Sequence, residues 1–110
     1  MVTIKRFDVF WVNLDPTVGS EIKKTRPAVI ISPDSMNFSR LKAVIIAPMT
    51  SKIKDKIPTR IITEFQDKAG QIVLDQLRAI DRSRILQKLG FIDKKTQINL
   101  LNVLAILFQE

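Results

Sequence analysis

Few side chains of this chain could do chemistry, and their types narrow what that chemistry is. The sequence holds no cysteine and no histidine. Thiol nucleophiles, disulfides and thiolate metal sites are therefore absent, which fits a reducing compartment. The commonest general acid–base near neutral pH is absent too. What remains is carboxylates, hydroxyls, lysines and arginines. Glu21 and Arg26 fall in FDVFWVNLDPTVGSEIKKTRPAVIISP, the stretch from Phe7 to Pro33, and Thr50 and Ser51 close a later apolar run. Arginine can grip phosphate oxygens through two parallel donors and stabilise charge that develops on them. Two hydroxyls can donate to the same group, and a carboxylate can accept a proton. On an RNA phosphodiester this set would promote attack by the neighbouring 2′-OH. Glu21 is the candidate base, Arg26 stabilises the phosphorane, and Thr50 and Ser51 donate to the phosphate. An arginine pKa above ~12 makes electrostatic work the first assignment for Arg26.

Each residue also has a plain reading. Glu21 beside Lys23 and Lys24 describes a solvated loop, Arg26 before Pro27 a surface ion pair, and Thr50–Ser51 a common turn pair. No Ser/His/Asp set, Gly-rich phosphate loop or metal-ligand cluster is present. Asp8, Asp15, Asp34 and Asp75 form no recognisable two-metal carboxylate set, so neither metal nor cofactor is expected.

Charge points to a polyanionic partner. Lys and Arg number 18 against 11 acidic residues, a net +7. The excess is concentrated early, with eleven cations and five anions in residues 1–63. Cations neutralise phosphates and release counterions on binding nucleic acid. A solvated basic surface is the bland alternative. No apolar run approaches the ~18–20 residues needed to span a bilayer. The N-terminal MVTIKRFDVF lacks the apolar stretch of a secretory signal, so a soluble cytoplasmic protein without membrane contact is expected. A length of 110 residues with 45% hydrophobic content suits a single domain over 1–110 with a modest core.

The elements that must position these residues can be read in order. Phe7–Leu14 predicts a strand with Phe10, Val12 and Leu14 on one face and Phe7, Val9 and Trp11 on the other. Such a strand is central or lies at a subunit contact. Asp15–Pro27 predicts a loop, with Pro27 forcing Arg26 toward an extended conformation as it enters a strand at Ala28–Ser32. Pro33–Leu41 predicts a polar connection with one helical turn. Strands are expected at Lys42–Pro48, Thr59–Thr63 and Gln71–Asp75, with an exposed basic loop at Lys52–Pro58, a turn at Glu64–Gly70 and an extended piece at Leu77–Asp81. Asp93 predicts the cap of a final helix, 93–108, whose face is Ile98, Leu101, Leu104 or Ala105, and Phe108. Leu100, Val103, Ile106 and Leu107 widen that face almost all the way round. Strands first and a helix last predict a small, bent antiparallel sheet closed by the helix, an α+β, mainly β, barrel-like domain.

The runs WVNLDPTVGSE, KTRPAVIIS, SPDSMNFSRL, APMTS and VLDQLRAIDRSR together resemble the MazF/PemK/Kid family of toxin–antitoxin ribonucleases. The resemblance runs from Phe7 to about Arg84, with a helix in the expected place beyond. It implies a homodimer of the CcdB/MazF-type fold, a twisted SH3-like barrel. It implies metal-independent, sequence-selective cleavage of single-stranded RNA, leaving a 2′,3′-cyclic phosphate and a 5′-hydroxyl, and inhibition by a cognate acidic antitoxin. The family's catalytic arginine falls on Arg26, its catalytic threonine on Thr50 and its loop glutamate on Glu21. The RNA-binding surface implied takes in Gly19, Ser20, Lys24, Pro27, Ser51, Lys52, Lys54, Asp75 and Gln76. Some members carry His at the position of Ser20 and Arg at that of Val73, so the Arg26/Thr50 version of the mechanism is the one available here. Two alternatives stand beside it: a non-nuclease toxin of the same fold that poisons DNA gyrase, which would need neither Arg26 nor Thr50, and a plain nucleic-acid-binding barrel.

Overall fold

Strands that bury both faces organise the molecule. A computed structural model describes residues 3–109. Its strands are β1 (Asp8–Asn13), β2 (Thr25–Ile30), β3 (Ala43–Thr50), β4 (Arg60–Phe65), β5 (Lys68–Val73), β6 (Arg78–Asp81) and β7 (Ile85–Phe91). The α-helices are a single turn, α1 (Asp34–Asn37), and α2 (Lys94–Leu107), and 3-10 turns at Leu74–Gln76, where a strand end was expected, and Arg82–Arg84 flank β6. All pairings are antiparallel, in the order β4-β5-β3-β2-β1-β7, with β6 also on β3.

In β1, β2 and β3 alternate side chains enter two different cores. Val9, Val29, Ala47 and Met49 join one, with Ile61, Ile72 and Leu100 from the second layer and α2. Phe10, Val12, Ala28, Ile30, Val44 and Ile46 join the other, with Leu14 and Ile80. The two-faced strand predicted at Phe7–Leu14 is thus central, hydrogen-bonded to β2 on one side and β7 on the other. The long strand β3 passes from one layer to the next. Ala43–Ile46 pairs with β6, and Met49 and Thr50 pair with β5. Thr50 therefore ends β3 in the part that pairs with β5, opposite Gln71.

Several boundaries differ from the sequence reading. β2 begins at Thr25, so Arg26 and Pro27 belong to the strand and face Val12 and Trp11 of β1. The turn expected over Glu64–Gly70 shrinks to Gln66–Asp67, both with positive φ (52° and 62°). That is a two-residue hairpin of the kind usually marked by glycine, and the missing glycine hid it. β7 has no alternation to announce it, because as an edge strand it exposes Leu86 and Phe91.

Asp93 does cap α2, accepting from Thr96 N at 2.8 Å, and the resulting bonds hold its carboxyl below the usual carboxylate range. Of the face expected to be buried, only Leu104 packs on the sheet. Thr96, Leu100, Val103 and Leu104 press on the sheet, and Thr63 and Thr96 hydroxyls meet at 3.0 Å. Ile98, Leu101 and Phe108 form a second, exposed stripe. With apolar residues nearly all round, periodicity alone could not choose between the two faces. Among the described residues no helix is long and apolar enough to cross a membrane.

Candidate functional site

Two prolines shape the place where Arg26 meets Thr50. The β2–β3 ladder starts at Ala28↔Pro48, and Pro27 has no N–H to extend it. Two residues before Ala28 and two after Pro48 stand Arg26 and Thr50, so the register sets them opposite one another where the ladder has opened. Both line a cavity of about 250 Å³, together with Pro27 and Ser51. Trp11, Met49, Phe65, Gln66, Lys68, Ala69, Gly70 and Leu89 complete its wall.

The donors at this cavity are only partly engaged. Arg26 Nε donates to Lys23 O at 3.3 Å, which leaves the two Nη groups to grip an anion. Thr50 Oγ1 accepts from Lys52 N at 3.2 Å, which leaves its own hydrogen to donate. An arginine fork and a hydroxyl on one cavity can hold a phosphate and stabilise negative charge growing on it. Gly70 makes the fit possible. A Cβ there would stand 2.7 Å from Thr50 O.

The structure does not bring Glu21 to this cavity. Its carboxylate turns onto its own loop and accepts from Val18 N at 2.5 Å. Gly19 (φ 62°), Ser20 and Lys24 (φ 70°) lie with it on the exposed β1–β2 loop. Gln76 braces that loop, accepting from Ile22 N at 2.7 Å and donating to Ser20 O at 3.4 Å, so its polar atoms already have partners. Arg78 and Arg84 hold the base of the loop. Arg78 donates to Leu14 O at 3.2 Å, and Arg84 to Asn13 O at 3.3 Å and to Asp15 O. Asp75 is likewise engaged, pairing with Arg60 at 3.2 Å and accepting from Thr59 at 3.0 Å. Partial burial pushes the Asp75 carboxyl up, but the bonds from Arg60 and Thr59 outweigh it and leave the group below its ordinary range.

Lys52 and Lys54 extend from the exposed loop after Thr50. That loop is pinned by the buried amide of Gln71, which accepts from Lys54 N (3.2 Å) and donates to Lys54 O (2.7 Å). Lys54 also lines a shallow hollow of about 420 Å³ with Lys56 and Arg60. A larger hollow of about 850 Å³ lies on another face, beside Phe38, Arg40 and Arg82, and holds none of the residues singled out from the sequence. Among the described residues no three His, Cys, Asp or Glu are grouped to hold a metal ion. Trp11, Phe65, Gln66, Lys68 and Gly70 escaped the sequence reading. Trp11 looked like an ordinary strand residue, and the other four fall in or beside a turn whose position the sequence blurred.

Comparison with known proteins places the chain among relatives. A family model described as PemK-like, MazF-like toxin of type II toxin–antitoxin system matches residues 5–108. The chain is 39% identical over 108 residues to the endoribonuclease MazF of Staphylococcus epidermidis, covering 94% of this chain and 89% of that protein. Its fold is similar to the crystal structure of MazF (Form-I) from Deinococcus radiodurans, with a TM-score of 0.83, 23% identity and 97% of each chain covered. It is also similar to the MazE–MazF (Form-II) crystal structure from the same organism, with a TM-score of 0.77, 20% identity and 100% of each chain covered.

Proposed function

This chain belongs to the PemK-like, MazF-like toxins of type II toxin–antitoxin systems and is an endoribonuclease, and we propose that it cuts single-stranded RNA, at selected sequences and without a metal ion, by attack of the neighbouring 2′-OH. The observation that carries this reading is the cavity shared by Arg26 and Thr50, each with donors left for a phosphate.

In the proposed reaction the RNA phosphate sits between the Arg26 Nη groups and the Thr50 hydroxyl. The 2′-oxygen bonds to phosphorus, its proton is removed, and the bond to the 5′-oxygen breaks with protonation of that oxygen. The products carry a 2′,3′-cyclic phosphate and a 5′-hydroxyl. Arg26 and Thr50 stabilise the charge on the phosphorane, where preorganised donors act most strongly. Ser51 stands beside Thr50 as a second hydroxyl. Glu21 can take the 2′-OH proton only after its bond to Val18 N–H is exchanged for one to the substrate. Lys24, Lys52 and Lys54 are exposed and make no ion pair among the described residues, so they are free to follow the RNA backbone. Purified protein incubated with a long single-stranded RNA in EDTA is expected to cut it, and to spare the same sequence in a duplex, where bases cannot be splayed for reading. Strict dependence on Mg²⁺, or equal cutting of the duplex, would contradict this reading.

The same basic loops suit the partner that toxins of this class take. An acidic, disordered antitoxin segment would fold onto residues 15–27, the β1–β2 loop and the start of β2, and onto the loop at 51–58, and block the RNA path. Cleavage should then stop at saturating antitoxin, and a purified complex that still cut RNA at full rate would overturn this steric account. The exposed stripe Ile98, Leu101 and Phe108, and the exposed Leu86 and Phe91 of edge strand β7, support a two-fold homodimer. Sedimentation at micromolar concentration is expected to give twice the chain mass. A species of one chain only would count against the dimer.

A further inference from the structure

The cavity beside Arg26 and Thr50 has aromatic walls, and the fold fixes them in place. Trp11 and Phe65 both line it and both are half-buried. The other aromatics are elsewhere: Phe7 packs against the first core, Phe10 is buried in the second, and Phe38, Phe91 and Phe108 are exposed, and none of the five lines this cavity.

The position of Phe65 is secured three ways. It precedes the tight turn Gln66–Asp67, whose residues both hold positive φ without being glycine. Gln66 Nε2 donates to Leu89 O at 2.8 Å, tying the turn to β7. The Phe65 ring lies over Gly90, where φ is 152° and a Cβ would come within 3.3 Å of Cζ. Trp11 is held by β1, opposite Pro27. About 250 Å³ amounts to roughly eight water volumes, room enough for a nucleobase. With its Nε2 on Leu89 O, Gln66 keeps Oε1 as an acceptor at the rim.

We propose that this cavity is a nucleobase subsite: a base next to the scissile phosphate stacks on Trp11 and Phe65 and donates an edge N–H to Gln66 Oε1. The proposal rests on the endoribonuclease reading above and adds how the RNA is read. Stacking on aromatic side chains tolerates many bases, because every base has a π-face, whereas the Gln66 acceptor would favour a base with an N–H at that edge.

The test is a cycle between enzyme and substrate. Wild type, Phe65→Ala and Phe65→Leu are each given a short RNA with one mapped cleavage site, and the same RNA with an abasic residue on either side of the cleaved bond. Phe65→Leu keeps an apolar side chain over Gly90 and guards against loss of the fold, and Phe65→Tyr tests rescue by an aromatic ring. One of the two abasic positions is expected to lower wild-type kcat/KM by about five- to a hundredfold. Phe65→Leu should lose a similar factor on intact RNA, suffer little further loss from that abasic position, and be rescued in Phe65→Tyr. Full, additive abasic penalties in folded Phe65→Leu would overturn the subsite while leaving the nuclease reading intact. Wild type that cuts no RNA would overturn both.

Discussion

Arg26→Ala is expected to fold as the parent does, to bind RNA within about tenfold of it, and to cleave at least ~10²-fold more slowly with enzyme in excess. The reason is local. The Arg26 side chain makes one bond, to Lys23 O, and belongs to neither core, so its removal takes away phosphate donors and little else. Thr50→Ala should behave in the same way, because its hydroxyl serves Lys52 N and the cavity. Lys54→Ala is the contrast. The Gln71 clamp grips only the Lys54 backbone, so the loop keeps its shape. One phosphate contact is lost, the dependence of affinity on salt falls by about one unit of slope, and the rate at saturating RNA stays near that of wild type. Single-turnover cleavage alongside affinity at two salt concentrations separates these outcomes. Full-rate cleavage by folded Arg26→Ala would return Thr25–Arg26–Pro27 to a structural role.

Gly70→Ala is expected to slow cleavage by up to ~10²-fold while changing RNA affinity little, because a displacement of about 1 Å at a reacting centre can cost that much. The added Cβ would meet Thr50 O at 2.7 Å, a backbone atom with no rotamer to escape into. The strand end must shift, and Thr50 shifts with it. Overpacking of this kind costs about 1–3 kcal/mol in stability, which a denaturant midpoint would register. The informative outcome is the split: kcat falls and KM holds. Unaltered kcat in a variant whose midpoint has dropped would mean that Thr50 does not have to be where the structure puts it.

How far the sequence foretold these features follows from where the signals were local. The two-faced strand at Phe7–Leu14 was legible because period-2 alternation names both faces at once, and both are filled. Arg26, Pro27 and Thr50 were legible as motif residues, yet nothing local says that the β2–β3 register brings Arg26 opposite Thr50. The aromatic wall was illegible for a related reason. Phe65 and Leu89 come from strands β4 and β7, and the turn that presents Phe65 is built from Gln66 and Asp67 instead of a glycine pair. α2 was legible as a helix through its Asp93 cap, but most of its docked face was not, since apolar residues run almost all the way round it and only Thr63 and the first core choose which of them are buried. Glu21 shows the converse. As the one carboxylate in a basic segment with Arg26 it was the candidate base, and the fold turns it onto Val18 N–H in its own exposed loop.

The most direct measurement is of the cut ends. RNA cleaved by the purified protein in the presence of EDTA is labelled at its new 5′ ends by kinase, with and without prior phosphatase, and its new 3′ ends are resolved before and after acid opening of cyclic phosphates. The attack of a 2′-OH between Arg26 and Thr50 predicts 5′-hydroxyl ends that label without phosphatase, and 3′ ends that change mobility on acid treatment. Fragments carrying 5′-phosphate and 3′-hydroxyl ends would mean that water, and not the neighbouring 2′-OH, attacks the phosphorus, and would contradict the account.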